Sequence, residues 1–245
     1  TIFMAHTQPK RQTVLKQKVQ NFVYKFFTAI RLNNKEEYDF LKAQGTPLHK
    51  LHIVPLVVSQ SVFTYKENSN RKDIVYFGNV TEKKNVPTII RAFEIVQKRR
   101  PEVKFHIVGK IHDLTVLSLI ELSPSRENFV LHGFLPNEEL TVVLNNMLIY
   151  TNSSFDEGQC VAVYDAALAG CVLCLPKIMS FIGVFKNTSL QHDVTDHLSL
   201  AQNILTYMDS PEIAQEHRKE NIRMITSEYS IDTIERKMRE LFLNI

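Results

Sequence analysis

Cysteine is scarce in this chain: its 245 residues include three, at positions 160, 171 and 174. The spacing Cys171-x-x-Cys174 matches a redox pair. Both residues lie inside an apolar run rather than at a helix start, so neither redox chemistry nor zinc is expected there. Buried, reduced thiols suit a cytosolic protein. Long apolar runs are missing as well. None approaches the roughly 18 residues of a membrane span, and no signal peptide is visible. Nor does one charge dominate. Lys and Arg number 29 against 26 Asp and Glu, a formal net charge of +3. Such mild basicity is no evidence for nucleic acid, and none is expected as a partner. Low-complexity segments and short repeats are absent. Asn-x-Ser/Thr triplets begin at Asn79, Asn152 and Asn187. Asn152 directly follows an apolar run, and all three read as chance.

What is present suits a globular protein. An apolar fraction of 44% supports a real core. The length allows one large domain or parts of two. Residues 1–6 read as a strand already under way, so a piece of a longer chain is expected. Residues 10–24 mix basic and apolar side chains at helical spacing, with Val14, Val19, Phe22 and Val23 on one stripe. Residues 26–32 either close that helix or form a strand. A charged helix at 35–42 is stopped by Gly45 and Pro47. A strand-like run at 51–58 is interrupted by Pro55. Residues 59–72 are polar and without periodicity, which predicts a linker and a domain boundary.

Beyond the linker the alternation is regular. Strands are expected at 73–78, 103–109 and 128–133, and helices at 86–99, 114–122 and 136–146. A last short strand at 189–192 precedes amphipathic helices at 196–208, 211–226 and 231–243. Strands alternating with helices predict an α/β fold with a doubly wound parallel sheet.

The most informative stretch is residues 153–170. Glu157 stands in a polar loop after the apolar run Leu148-Ile149-Tyr150. Eight positions on, Asp165 stands in a run that reads as helix, with Val161, Tyr164, Ala167 and Leu168 at helical spacing. Gly170 ends that helix, and residues 171–176 read as the next buried strand. In such a unit the loop and the helix start lie at the carboxyl edge of a parallel sheet, where open α/β folds bind ligands. Free amides at a helix start attract phosphate. The residues alone leave a plainer reading equally open, a surface loop followed by a partly buried helical Asp.

A resemblance sharpens the choice. The run Gly78-Asn79-Val80-Thr81-Glu82-Lys83-Lys84-Asn85, followed by Ile89-Ile90-Arg91-Ala92-Phe93, is similar to the nucleotide-sugar-binding domain of group 1 (GT4-type) glycosyltransferases, which have the GT-B fold. Phe105-His106-Ile107-Val108-Gly109 matches the family's second strand, and Val130-Leu131-His132-Gly133-Phe134 its third. Ser154 falls on the Ser of a Pro-Ser pair. Glu157 to Asp165 matches the family's E-x7-E motif in register, with Asp in the second place. These landmarks run in order over about 100 residues.

The resemblance implies a division of the chain. Residues 1–58 would be the end of an acceptor-binding Rossmann-like domain, with 59–72 the linker. Residues 73–229 would bind the nucleotide sugar, and 230–245 would form a helix crossing back. It implies a retaining, metal-independent transfer of sugar from a UDP- or GDP-linked donor, with no cofactor. The acceptor stays open: glycan, lipid or small molecule. Glu157 would lie near the donor sugar, and His6 near the reacting centre. Lys84 would reach the diphosphate. The amides at Gln159, Cys160 and Val161 would cradle phosphate beside Ser154 and Gly158, and Asp165 would accept from ribose hydroxyls.

Asn79 stands where the family has Arg. A charge-assisted hydrogen bond contributes about 1.5–3 kcal/mol, so its loss from a transition state would cost about one to two decades in rate. Gln159-Cys160 replaces a Phe-Gly pair, and Cys171-Val172 replaces Thr-Pro. With Asn79 and Asp165, these departures motivate an alternative: a degenerate relative that binds a partner without transferring sugar. The basic helix at 10–25 is most simply a surface helix. In relatives acting on lipid-linked acceptors such a helix presses on a membrane, so a cytoplasmic or peripheral location is expected.

Overall fold

Two parallel sheets organise the chain in a computed structural model that describes residues 2–4, 22–24, 26–58 and 62–243. The smaller sheet has three strands in sequence order, β1 (Ile2–Met4), β2 (Ala29–Leu32) and β3 (Leu51–Ile53). Helix α1 (Lys35–Ala43) links β2 to β3 and begins at Asn34, whose side chain accepts from the Glu37 amide at 2.9 Å. This is an ordinary Asn N-cap. Residues 26–32 thus resolve into a strand. The run at 51–58 stops pairing after Val54, whose amide donates to the Leu32 carbonyl at 2.9 Å, because Pro55 has no amide to give a ladder. Arg31 takes over, donating to the carbonyls of Val54 and Pro55, each at 2.6 Å.

The larger sheet contains β4 (Asp73–Phe77), β5 (Phe105–Val108), β6 (Phe129–Gly133), β7 (Met147–Thr151), β8 (Val172–Pro176) and β9 (Leu190–His192). All pair in parallel, in the order β6-β5-β4-β7-β8-β9. From β4 the chain winds outward one way to β6, then returns and winds the other way from β7 to β9. The reversal lies between β4 and β7, the place where doubly wound sheets open a crevice.

The strands are buried on both faces, and their side chains alternate between two cores. Ile74, Tyr76, Phe105, Ile107 and Ile149 point to one face. There they meet α2 (Val86–Arg99) and α7 (His197–Asp209). Val75, Phe77, Tyr150, Leu173 and Leu175 point to the other, against α5 (Val161–Leu168) and α8 (Pro211–Glu228). Cys171 belongs to the second core and Cys174 to the first, so the two thiols face opposite ways; all three cysteines are free and buried.

Helices α3 (Leu114–Glu121) and α4 (Asn137–Leu144) cross outside the β5 and β6 half, α4 starting just after Pro136. Helix α6 (Met179–Phe185) has no signature in the sequence, since Met-Ser-Phe-Ile-Gly-Val-Phe shows no polar stripe. It is fixed by packing: Phe181 and Phe185 are buried, and Phe185 meets Tyr164 edge to face at 5.1 Å. Residues 62–72 contain no helix or strand, yet Phe63 and Arg71 are buried. Helix α9 (Ile231–Leu243) crosses back to the smaller sheet, packing Ile234 and Leu241 on Ala29 and Val54.

Candidate active site

The reversal of strand order brings two loops together. β4 and β7 are neighbours, with Ile74 opposite Ile149 and Val75 opposite Tyr150. Their chains therefore leave the carboxyl edge side by side. After β4 the backbone passes through Gly78 at φ +132, and after β5 through Gly109 at φ +130. A Cβ on Gly109 would run into the Gly78 carbonyl, so the two exits touch. Residues Glu82–Lys84 then form a single 3-10 turn. Asn85 follows in the left-handed region at φ 50, alone among the described non-glycine residues. Its side chain donates to the Val194 carbonyl at 2.9 Å and accepts from Thr88 Oγ1 at 3.1 Å. These bonds hold the turn that carries Lys83 and Lys84.

The loop after β7 is ordered from its base. Asn152 Oδ1 accepts from the Ser154 amide at 2.7 Å, an Asx turn. Ser154 Oγ donates to Glu157 Oε1 at 2.7 Å, and Lys84 Nζ reaches the same oxygen at 2.5 Å. Beside this, Lys83 pairs with Asp156 at 2.7 Å, and the Phe155 amide donates to the Lys83 carbonyl at 3.0 Å. Two lysines thus meet two carboxylates across adjacent loops. The Glu157 side chain is 8% exposed and that of Lys84 22%, so this pair is largely withdrawn from water. Burial alone would lower the Lys84 pKa, but Cys160 and the Glu157 and Asp156 carboxylates raise it further than burial lowers it. Lys84 is therefore held as a cation.

Helix α5 opens at the same place. Cys160 is its N-cap and makes no side-chain bond there. Burial, then the Glu157 charge, pushes the Cys160 thiol up to about 12, so it stays neutral. Among the described residues no side-chain cap bond closes the start of α5. Gly158 is half-buried and Val161 exposed. Gln159 turns away from the helix mouth: its Oε1 accepts from the Leu56 amide at 2.6 Å, and its Nε2 donates to the Leu56 carbonyl at 3.1 Å. Only its main chain remains for a ligand.

The other expected residues are less tied. Asn79 is exposed, and its carbonyl accepts from the Tyr76 hydroxyl at 3.1 Å. Among the described residues no hydrogen bond or ion pair engages the Asp165 carboxyl, nor does one join it to Glu157. Burial lifts that carboxyl from an ordinary 3.8 to about 7. His6 and nearly all of the basic helix at 10–25 lie outside the described residues.

Sequence reasoning missed the supporting partners. Lys83 and Asp156 were legible only as a second Lys-carboxylate pair in register with the first. Buried Ser153 bonds His192 Nε2 at 2.9 Å behind the loop, and burial drives that imidazole down to about 4. His106 and His132 bond each other at 2.9 Å with Asp73 nearby.

The family model of glycosyl transferases group 1 matches residues 59–224. The chain belongs to this family. Three solved members of the same fold illustrate its range. TarM superposes with a TM-score of 0.82 at 17% identity, over 98% of this chain and 50% of its own. HepE from Anabaena, solved with UDP and glucose, gives 0.85 at 12% identity, over 100% and 71%. The pneumococcal O-GlcNAc transferase GtfA, solved with UDP and GlcNAc, gives 0.78 at 12%, over 99% and 52%. This group 1 glycosyltransferase chain thus spans about half the length of TarM and GtfA. No curated protein sequence matched it.

Proposed function

We propose that this chain carries the donor site of a retaining, metal-independent glycosyltransferase and moves a sugar from a nucleoside diphosphate sugar to an acceptor. The observation that carries the reading is the Lys84–Glu157 pair at the mouth of α5. A departing diphosphate carries negative charge, and protein cations and helix amides are the groups that stabilise it. Lys84 is a half-buried cation paired with Glu157, in the loop that leads to those amides. Glu157 then faces the sugar, placed to stabilise positive charge at the anomeric carbon. Asp165, just over one turn along α5, serves the ribose. The UDP complexes of HepE and GtfA support UDP as the nucleotide here, with GDP as the other candidate.

Lys84 is engaged by Glu157, so a diphosphate must compete for it. Lys84→Ala is expected to weaken UDP binding about tenfold or more, because it removes the matched cation. Glu157→Gln frees Lys84. It should bind UDP at least as tightly as the parent and yet lose transfer by about a hundredfold. Calorimetry with UDP and GDP, with a radiolabelled donor assay, reads both. Unchanged UDP affinity in Lys84→Ala would remove the phosphate site from this turn. The neutral amide of Asn79, where the family has Arg, favours a second reading, a relative that binds without transfer. UDP binding with no turnover on any donor would select it.

A further inference from the structure

At the far edge of the large sheet from Lys84, α8 and the segment before β4 enclose a groove of about 500 Å3. That is in the range of small-molecule sites, about 300–1,000 Å3. Its position follows from its bonds. Arg218 Nε donates to the Gly170 carbonyl at 2.6 Å, just before β8 begins. Arg71 donates to the carbonyls of Met147 and Ala169, at the entries to β7 and β8. These are the amino ends of the strands, one length of α5 away from its phosphate-facing start.

Tyr65 forms the floor. Its ring lies on Gly170, where a Cβ would enter the ring. Two guanidiniums flank it, Arg71 at 5.3 Å and Arg218 at 5.6 Å from the centroid. On α8, Arg218 and Ile222 are four residues apart, as are Lys219 and Arg223, so all four share one face and line the groove. Arg223 is held by Glu220 at 2.6 Å. Among the described residues the terminal nitrogens of Arg218 and the ammonium of Lys219 have no partner. Glu67 is the single carboxylate in the lining. Gln215 adds a neutral amide, and the Tyr65 ring, Ile222 and the stems of the long cations give the wall its apolar part.

We propose that this groove is a second ligand site, binding a phosphate monoester that carries an apolar body. Arg218 and Lys219, neither held by a carboxylate among the described residues, outnumber Glu67 and select an anion. The free fork of Arg218 suits a phosphate better than a single-point acceptor. The apolar wall selects an anion with a greasy partner rather than inorganic phosphate. The site is independent of the donor reading, since it shares no residue with it.

The test titrates the whole chain with phenyl phosphate and, separately, floats it with phosphatidylcholine vesicles carrying phosphatidic acid. Saturable binding is expected in at least one arm. Lys219→Glu should weaken it about tenfold. Lys219 is exposed and unpartnered, so this change does not threaten the fold. Glu67→Gln should strengthen binding a few-fold, and Lys84→Ala should leave it unchanged. A Lys219-dependent vesicle signal alone assigns the phosphate to a lipid headgroup. A Lys219-dependent phenyl phosphate signal assigns it to a soluble ester. The proposal is overturned by no saturable binding of either probe up to about 10 mM, by binding insensitive to Lys219→Glu, or by binding abolished in Lys84→Ala.

Discussion

Asp165, proposed to serve the ribose, would set binding against stability in a single carboxyl. Its folded pKa is raised by burial from 3.8 to about 7, and no partner engages it among the described residues. A raised carboxyl favours the protonated form on folding. The stability this contributes is full below the unfolded pKa and is lost as pH rises through about 7. At pH 8 the ionised group costs on the order of 2 kcal/mol, discounted for partial exposure. Asp165→Asn is expected to melt several degrees above the parent at pH 8 and close to it at pH 4, while binding UDP less tightly. Scanning calorimetry at the two pH values checks this, and an equal difference at both would contradict the titration. The place of Asp165 eight residues after Glu157 was readable from the chain. Its missing partner was not, because that depends on which elements close over α5.

Helix α5 carries the site at its start and is stopped at its end by a Schellman motif. The Cys171 amide donates to the Ala166 carbonyl at 2.9 Å and the Gly170 amide to Ala167 at 3.0 Å, with Gly170 at φ +90. Gly45, at φ +80, has open space around it, whereas Gly170 lies under the Tyr65 ring. The two glycines therefore separate backbone strain from packing. Gly45→Ala should cost about 1 kcal/mol, the left-handed penalty alone. Gly170→Ala should cost about 3 kcal/mol or more, since the ring must also move. Urea unfolding of the two variants measures the difference, and equal losses would mean that Tyr65 yields freely. The helix stop at Gly170 is local chemistry and was visible in the sequence. The ring above it comes from residue 65, about a hundred positions away.

Over the whole molecule, the smaller sheet depends on the chain's last helix. Ala29, Val54, Ile234 and Leu241 form one small cluster, with Met238 against it. The Val58 amide donates to the Tyr229 carbonyl at 3.2 Å, and Gln159 clamps Leu56. Leu241→Ala is expected to cost about 2–4 kcal/mol of local packing. Amide exchange should then speed up in β2 and β3 and stay unchanged in β4 and β5. Uniform acceleration across both sheets would show instead that they unfold as one unit.

Local pattern settled much of this protein. Apolar runs bounded by glycine and proline marked the strands of the large sheet, and helical spacing marked α2, α5 and α9, because these signals arise between near neighbours in the chain. The acidic loop and the stop at Gly170 were read the same way, whereas the lysine-bearing turn was read from the family resemblance. Only the tertiary structure decided that Lys84 and Ser154 meet on one Glu157 oxygen, since β4 and β7 are made adjacent by strand order, which no local spacing encodes. It also decided helix α6, which exists because Phe181 and Phe185 have a core to enter. The groove at Tyr65 was decided there too, because its walls come from segments some 150 residues apart and meet only when α8 lies across the sheet.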